Sequence, residues 1–255
     1  MAVEPFIDFE SKFVLVTGAS SGIGRAIAVE LAKRNARLVL LGRNQAELEK
    51  TVHATQQSDT VIINLDLNDL NTIEPTLKDV SSKTGRIYGL CNAAGVVETR
   101  PLSSAKYQNI QSILNINLVA GIELARIISR RDVIDPDGGS FLFISSIYGI
   151  VGVPGEVGYC ATKGGVAAAA RAMAVELAKK NIRVNILSPG FVMTEMTEKA
   201  LSILTEEQAK SIKEKHILGT GTPEDVAKSA AFLLAPQTGW ITGTELIIDG
   251  GYTVQ

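Results

Sequence analysis

The sequence has few of the residue types that form disulfides or bind metals. Its 255 residues include only two cysteines, Cys91 and Cys160, and two histidines, His53 and His216. Two thiols in so long a chain do not make a secreted disulfide framework, and we expect Cys160 to pack as a small apolar side chain. Both histidines lack metal-ligand spacing and are predicted to face solvent, so no metal site is predicted.

The chain also lacks an excess of charge and a long apolar run. Its formal net charge is -2 and its pI is near 5.8, which excludes the basic footprint of a nucleic-acid-binding protein. No apolar run reaches the roughly 18 residues of a membrane span. Residues 1–5 have no cationic start of a signal peptide. We therefore predict a soluble, cytoplasmic protein that binds neither nucleic acid nor membrane.

Short β-rich segments alternate with longer amphipathic segments along the whole chain. The predicted strands are 13–17, 37–41, 61–65, 87–92, 140–145, 183–187 and 245–249. The predicted helices cover 22–35, 45–57, 70–83 and 104–131, the stretch up to 181 that includes Tyr159, and a helix opened by Thr222-Pro223-Glu224. This alternation predicts an α/β fold, a doubly wound parallel sheet (Rossmann fold) in a single domain over residues 1–255.

Residues 193–221 are the exception to this alternation. They are polar, helical in character, and follow the Pro189-Gly190 turn. A small, mobile helical lid over a substrate pocket is one interpretation, and an ordinary surface helix pair is an equal alternative. Together with the mostly apolar loop 147–158, this segment is expected to shape the pocket, which suits a medium-sized, moderately hydrophobic carbonyl compound.

A glycine-rich loop, Thr17-Gly18-Ala19-Ser20-Ser21-Gly22-Ile23-Gly24, links the first predicted strand to the first helix. Glycines let the backbone approach a pyrophosphate, and the N–H groups at the start of a helix attract its charge. The spacing departs from the G-x-G-x-x-G pattern, and a tight turn without a ligand is the alternative. Three glycines and two serines in one loop favour a dinucleotide site.

The end of the second strand indicates which dinucleotide binds. An NAD site places Asp or Glu about 20 residues after the glycines, to hold the ribose 2′-hydroxyl. Gly42 and Arg43 stand there instead. A guanidinium pairs well with a 2′-phosphate, so we predict NADP(H), with NAD(H) as the alternative. Arg43 could also be a surface residue at a helix start.

Tyr159 and Lys163 are four residues apart on a predicted helix, so their side chains lie on one face. A nearby ammonium lowers the pKa of a phenol and makes it a usable acid near neutrality, which predicts a reaction centre. Ser145 and Ser146 end a predicted strand nearby, and residue chemistry alone does not choose between them.

Taken together, these motifs resemble the classical short-chain dehydrogenase/reductase family, and within it the 3-oxoacyl-acyl-carrier-protein reductases. The resemblance runs from residue 13 to 252. It rests on the glycine loop, on Asn92-Ala93-Ala94-Gly95, on Ile116-Asn117-Leu118, on Ser146 with Tyr159-x-x-x-Lys163, on Ser188-Pro189-Gly190 followed by Thr194, on Thr242-Gly243, and on Asp249-Gly250-Gly251.

The resemblance implies a role for each matching residue. Tyr159 would be the acid–base residue and Ser146 would polarise the carbonyl oxygen. Lys163 would bind the nicotinamide ribose and lower the Tyr159 pKa, and Asn117, rather than Asn115, would support Lys163 through a water. The implied cofactor-binding residues are Gly18, Ser20, Ser21, Gly22, Ile23, Gly24, Arg43, Asp66, Leu67, Asn92, Ala93, Gly95, Tyr159, Lys163, Pro189, Gly190, Val192 and Thr194. Asp66 could instead merely turn the chain after its strand.

The chain departs from the family pattern at two places, and the second of them bears on the substrate. Asn-Asn-Ala-Gly is usual where this chain has Asn92-Ala93-Ala94-Gly95. The carrier-protein reductases place a basic residue directly before a helical glutamate, and Val175 precedes Glu176 here. This favours a freely diffusing ketone or alcohol over a substrate on acyl carrier protein. Small residues at 167–170 and the family's four-helix interface predict a homotetramer, with a dimer as the alternative.

The sequence therefore leaves three candidate functions. The first is an NADP(H)-dependent oxidoreductase that interconverts a ketone and a secondary alcohol. The second is a 3-oxoacyl-acyl-carrier-protein reductase of fatty-acid synthesis. The third, of another class, is a non-catalytic NADP(H)-sensing protein, against which the presence of Tyr159 and Lys163 counts.

Overall fold

The computed structural model describes residues 6–201 and 205–255. Within them, seven parallel strands form one sheet in the order β3-β2-β1-β4-β5-β6-β7. The strands are β1 Phe13–Thr17, β2 Arg37–Gly42, β3 Val61–Asn64, β4 Ile87–Asn92, β5 Gly139–Ile144, β6 Ile182–Pro189 and β7 Glu245–Ile248. Successive strands run outward from β1 to β3, and then from β4 in the opposite direction. The sheet therefore has a switch point between β1 and β4, where doubly wound folds bind ligands.

The helices lie on both faces of the sheet. They are α1 Gly22–Ala32, α2 Gln45–Thr55, α3 Ile73–Thr84, α4 Tyr107–Leu114, α5 Ala120–Ile128, α6 Val157–Leu177, α7 Glu195–Leu201, α8 Glu206–Glu214 and α9 Pro223–Leu234. One buried cluster joins α3, α5 and α6 to the sheet, and a second joins α1, α2 and α9 to its other face. On that second face α1 packs directly beside α9. The predicted doubly wound sheet is confirmed.

The central strands are buried along their whole length, which explains their unbroken apolar runs. All five residues of β1 and all six of β4 are buried. A strand covered by helices on both faces gains from an apolar residue at every position, so no polar alternation develops. The predicted bounds of β1 and β4 agree with the structure, and the other strands differ by one or two residues at their ends.

Helix α9 begins where the sequence predicts it. The Thr222 hydroxyl oxygen accepts a hydrogen bond from the Asp225 N–H at 3.3 Å, while the Asp225 carboxylate accepts one from the Thr222 N–H at 2.9 Å. This capping box, with Pro223 in the first turn, satisfies backbone donors that a helix start leaves unpaired.

A buried arginine closes the other end of α9. The Arg183 guanidinium donates to the carbonyl oxygens of Leu233 at 3.0 Å, Ala235 at 2.9 Å and Ile241 at 2.9 Å. It also donates to the Ser140 hydroxyl at 2.9 Å. The last carbonyls of a helix have no partners within the helix, and here the guanidinium of Arg183, on the neighbouring strand β6, provides the missing hydrogen-bond donors.

The long helix predicted over 104–131 is interrupted by one turn of π-helix, Asn115–Val119, between α4 and α5. Tyr107–Ile128 is, among the described residues, the one helix long and apolar enough to cross a membrane by length and composition. This is weak evidence for a span, because core helices of soluble proteins satisfy the same test. Asn115 and Asn117 lie in its middle, and Leu124, Ile127 and Ile128 are buried in the protein's own core.

The segment 193–221 contains α7 and α8, with residues 202–204 of the predicted lid outside the described residues. Its C-terminal end folds back on the sheet, because the Leu218 N–H donates to the Gly250 carbonyl at 3.0 Å. Its helical character agrees with the sequence, and its role as a lid stays a prediction.

Candidate active site

A cleft of about 380 Å³ opens at the carboxyl ends of the strands, at the switch point between β1 and β4. It brings together most of the predicted site residues, which are far apart in sequence. Those that line it are Gly18, Ser20, Ser21, Gly22, Ile23, Gly24, Arg43, Asp66, Leu67, Ala93, Gly95, Ser146, Tyr159, Lys163, Pro189, Gly190, Val192 and Thr194. Asn92 and Asn117 are not in its lining.

Close backbone packing explains the glycines at one end of the cleft. Gly18 has a φ of +65°, and a Cβ there would lie 2.9 Å from the Ala94 Cα. A Cβ on Gly24 would overlap the Gly18 carbonyl. The loop therefore approaches both the segment that follows β4 and itself at distances that only glycine allows. It leads into α1, whose first N–H groups have no partners within the helix.

Arg25 anchors this loop, and sequence reasoning missed it. Its guanidinium donates to the Ser20 carbonyl, forms an ion pair with Glu47 at 2.6 Å, and donates to the Thr51 hydroxyl at 3.0 Å. Thr51 in turn donates to the Ala19 carbonyl at 2.8 Å. The one sequence feature that could have indicated this role for Arg25 is its position directly after Gly24.

Arg43 is exposed at the rim of the cleft, between the end of β2 and α2. The side chain of Asn44, the next residue, caps α2 by accepting a hydrogen bond from the Glu47 N–H at 3.2 Å. A Cβ on Gly42 would lie 3.2 Å from the Leu48 side chain. The backbone at Arg43 is therefore held by its neighbours, and Arg43 itself lines the cleft.

Asp66 and Leu67 line the cleft after β3, and Leu67 is buried. The Asp66 carboxylate accepts hydrogen bonds from the Asn68 N–H at 3.0 Å and from the Asn68 side-chain amide at 3.1 Å. The chain-turning role that the sequence left open for Asp66 is thus present, and this exposed residue also lines the cleft.

Tyr159 and Lys163 lie at the other end of the cleft, on α6. The Lys163 ammonium is buried, donates to the Ile144 carbonyl at 2.9 Å, and lies 5.5 Å from the centre of the Tyr159 ring. Burial lowers the pKa of Lys163 to about 8. An ammonium has three N–H donors, so Ile144 leaves two for a ligand.

The predicted lowering of the Tyr159 pKa is wrong for the protein without a ligand. Burial raises the pKa of the phenol, and the hydrogen bond with Ser146 lowers it only in part. Removing a phenol from water disfavours the phenolate, and Lys163 lies over the face of the ring, with its ammonium bonded to Ile144. Tyr159 is therefore a protonated phenol at neutral pH.

The structure shows different surroundings for Ser145 and Ser146, between which residue chemistry alone did not choose. Ser145 is buried and its hydroxyl donates to the Lys163 carbonyl at 2.9 Å. Ser146 lines the cleft beside Tyr159 and in part lowers the pKa of that phenol, and its hydroxyl oxygen accepts from the Tyr148 N–H at 3.2 Å. Ser145 thus holds α6 against β5, while Ser146 stands beside the phenol.

Asn117 lies behind the cleft wall, in the π-helical turn. Its carboxamide accepts from the Val96 N–H at 2.8 Å and donates to the Val96 carbonyl at 2.8 Å. It also donates to the Thr162 hydroxyl at 3.2 Å. A Cβ on Gly95 would lie 3.4 Å from the Asn117 oxygen and 3.6 Å from the Lys163 nitrogen. Asn117 therefore fixes the loop that separates it from the cleft.

Asn92 was predicted to line the cofactor, and it does not line the cleft. It is buried, and its side-chain oxygen accepts from the Thr17 hydroxyl at 3.0 Å. That hydroxyl in turn accepts from the Ala94 N–H at 2.9 Å. Asn92 and Thr17 hold the ends of β4 and β1 together beneath the glycine loop. Thr17, a polar residue ending an apolar strand, was missed.

The segment after β6 forms the remaining wall. Gly190, Val192 and Thr194 line the cleft as predicted, and Glu195 and Thr197 line it as well. The Thr197 hydroxyl donates to the Val192 carbonyl at 2.7 Å and accepts from the Thr194 N–H at 2.8 Å. A Cβ on Gly22 would lie 3.4 Å from the Thr194 methyl, so this wall meets the glycine loop.

One histidine prediction is wrong. His53 is exposed as expected, whereas His216 is only 4% exposed and forms two hydrogen bonds through its ring. Cys91 is buried, which raises the pKa of its thiol, and Cys160 is half-buried on α6. Residues 6–201 and 205–255 contain no group of three or more His, Cys, Asp or Glu that could hold a metal ion.

Comparison with known proteins identifies the family. A family model described as enoyl-(acyl carrier protein) reductase matches residues 18–253. The 3-oxoacyl-[acyl-carrier-protein] reductase of Rickettsia prowazekii is 36% identical over 246 residues, covering 96% of this chain and 98% of that protein. The chain belongs to the short-chain dehydrogenase/reductase family.

Other members of the short-chain dehydrogenase/reductase family match over nearly the whole length. Carbonyl reductase family member 4 of Xenopus laevis is 36% identical over 242 residues, covering 94% of this chain and 98% of that protein. A solved dehydrogenase/reductase from Sinorhizobium meliloti has a TM-score of 0.88 at 30% identity, covering 96% of each chain. This short-chain dehydrogenase/reductase is therefore an oxidoreductase, and its curated relatives include carrier-protein and carbonyl reductases by name.

Proposed function

We propose that this chain is an NADP(H)-dependent oxidoreductase that interconverts a ketone and a secondary alcohol. One observation supports this most. A single cleft has a glycine loop with Arg43 at one end, and at the other a half-buried tyrosine beside Ser146 and Lys163. The first end suits a phosphorylated dinucleotide, and the second suits proton transfer to a carbonyl oxygen.

The residues at the first end fit the dinucleotide. At Gly18 and Gly24 a side chain would collide with backbone, so the glycines keep the loop in its tight conformation at the start of α1. The unpaired N–H groups at the start of α1 provide donors for phosphate oxygens. Gly42 has no side chain that would exclude a 2′-phosphate, and the exposed Arg43 provides a cation to pair with it. Asp66 and Leu67 would contact the adenine.

The residues at the second end fit acid–base chemistry. When bound, NADPH supplies the hydride for the carbonyl carbon. Tyr159 is protonated at neutral pH and gives its proton to the carbonyl oxygen, and Ser146 holds that oxygen. The two remaining N–H donors of Lys163 would bind the nicotinamide ribose. Asn117 would hold the loop at Gly95 and Val96 and support a water next to Lys163. A protonated phenol suits the reductive direction.

Reduction of a 3-oxoacyl group on acyl carrier protein is the second candidate. The reductase of that name from Rickettsia prowazekii, at 36% identity, favours it. The exposed Val175, where the carrier-protein reductases have a basic residue, favours a freely diffusing carbonyl compound instead. A non-catalytic sensor would have no use for a tyrosine grouped with Ser146 and Lys163 in one cleft, so this candidate is the weakest of the three.

Titration with NADPH and NADH, followed by a panel of carbonyl compounds, tests the proposal. We expect tighter binding of NADPH and turnover of free ketones. Turnover confined to an acyl-thioester ketone would select the carrier-protein function. Binding without turnover of any carbonyl compound would contradict the catalytic proposal and favour a sensor.

We further propose one cytoplasmic domain over residues 1–255 that assembles as a homotetramer, with a dimer as the alternative. Val119 and Ile122 on the long helix and Val175 on α6 are exposed apolar side chains that a second copy could cover. Ala167 and Ala170 pack into the protein's own core instead. Light scattering of the purified protein would give the subunit number, and a monomer would contradict this assembly.

A further inference from the structure

His216 is a buried residue of the 193–221 segment that packs against the cleft wall. It lies two residues after α8 and is only 4% exposed. The centre of its ring lies 4.9 Å from that of Tyr252 and 6.4 Å from that of Phe191, so the imidazole is in contact with two aromatic side chains. No part of the acid–base chemistry uses it.

Two hydrogen bonds determine the tautomer of the His216 ring. Its Nε2 accepts from the Phe191 N–H at 2.9 Å, and its Nδ1 lies 2.7 Å from the Ile212 carbonyl oxygen. A backbone N–H can only donate and a carbonyl can only accept. The ring proton is therefore on Nδ1, and Nε2 is the acceptor that holds the Phe191 N–H.

The Phe191 N–H belongs to the wall of the cleft. Phe191 stands between Gly190 and Val192, and both of these line the cleft. A Cβ on Gly190 would lie 3.0 Å from the His216 Nε2, so the imidazole touches the backbone of the wall directly. The Gly190 N–H is held by the Ile248 carbonyl at 3.0 Å. His216 supplies the next anchor along the chain and ties this wall to α8 through Ile212.

We propose that His216 is a positioning residue for the dinucleotide. It holds residues 190–194 in the conformation that lines the cleft, and it couples that conformation to α8. This inference rests on the proposed function, because it takes the cleft to be the dinucleotide site.

Two variants separate anchoring from packing. In His216→Gln the side-chain oxygen can replace Nε2 as the acceptor for Phe191, whereas in His216→Asn the shorter amide can replace only the Nδ1 donor. We expect amide exchange at Phe191, measured without ligand, to accelerate about tenfold in His216→Asn and to change less than about twofold in His216→Gln. The Gly139 N–H, which donates to the Asn181 carbonyl at 3.0 Å and lies outside this wall, is the internal reference.

The dissociation constant for NADPH should follow the same order. We expect it to rise about tenfold in His216→Asn and less than about twofold in His216→Gln, with kcat at saturating cofactor nearly unchanged. Equal effects in both variants, or none in either, would overturn the proposal and leave His216 a packing residue. If the wild-type protein binds no dinucleotide, the proposed function fails, and the cofactor part of this inference fails with it. The exchange data would still decide whether His216 anchors Phe191.

Discussion

The two ends of the cleft are built from different parts of the polypeptide. At the glycine-loop end the wall is mostly backbone, and the charged side chains at its rim, Arg43 and Asp66, are exposed. At the other end the wall is made of side chains, with Lys163 buried and Tyr159 shifted in pKa by burial. One end is defined by close approach of main chain, and the other by desolvation of ionisable groups.

This difference predicts different responses to mutation. A change at the backbone end should alter binding, because the loop has a shape that a side chain would fill. A change at the buried end should alter proton transfer or the pH dependence of stability, because burial has shifted the pKa values there. Four predictions test this division, from the largest expected effect to the smallest.

Tyr159→Phe removes the phenol proton and keeps the ring. We expect kcat to fall by about a thousandfold, within the range of general acid–base catalysis, while the dissociation constant for NADPH changes less than about twofold. Tyr148→Phe is the matched control, since its ring packs edge-on against Tyr159 at 6.5 Å. Turnover retained in Tyr159→Phe would contradict the assigned acid.

Lys163 should make the cofactor-free protein more stable as the pH rises. Burial lowers its pKa to about 8 from an ordinary value of 10.5, so between these values the unfolded chain binds a proton that the folded protein has lost. The free energy of unfolding should therefore rise by about 3 kcal/mol over that interval. The raised Tyr159 pKa has the opposite effect, and only above about pH 10. There the unfolded phenol ionises and the folded one does not, so the free energy of unfolding falls as the pH rises.

The measurement is denaturant unfolding at several pH values, compared between the wild type and Lys163→Met. Other titrating groups contribute to both proteins and largely cancel in the difference. Parallel pH profiles for the two proteins would contradict a lowered Lys163 pKa.

Gly24→Ala should weaken binding at the backbone end. The new Cβ would overlap the Gly18 carbonyl, so the loop must move. We expect NADPH to bind at least about tenfold more weakly and the protein to lose about 2 kcal/mol of stability. Gly152→Ala is the control, because a Cβ there meets no atom within 4 Å. Similar behaviour of the two variants would mean that the loop tolerates a side chain.

Arg43→Asp should change the cofactor preference without affecting the fold. Losing a charge-assisted contact to the 2′-phosphate should weaken NADPH binding by about tenfold or more, while NADH binding stays within about threefold. Arg43 is exposed, so the melting temperature should be nearly unchanged. An unchanged ratio of NADPH to NADH affinity would show that Arg43 does not contact the phosphate.

The strands and the cleft could be predicted because their signals are local. Unbroken apolar runs such as β1 mark strands buried on both faces, and polar residues or glycines directly after them mark the ligand-binding edge. Family spacing then separated Ser146 from Ser145 and Asn117 from Asn115. In the structure Ser146 lines the cleft beside Tyr159 and Asn117 is bonded to the Val96 backbone, while the catalytic roles of both stay predictions.

What could not be predicted depends on residues far away in sequence. Burial of His216 depends on Phe191 and Tyr252, which lie 25 and 36 positions away. The direction of the Asn92 side chain depends on Thr17, a neighbour only through the pairing of β4 with β1. The Tyr159 pKa depends on how deeply the finished fold buries the phenol, which a Tyr–Lys spacing does not report.

The contact between α1 and α9 has a consequence for synthesis on the ribosome. The buried face of α1, which includes Ile27, Ala28 and Leu31, is covered in part by α9. Helix α1 ends at residue 32 and α9 begins at residue 223, so at roughly 5–20 residues per second the covering helix is made some 10 to 40 s later. During that interval the nascent half that carries the glycine loop has an uncovered apolar face, which exposes it to aggregation or to capture by a chaperone.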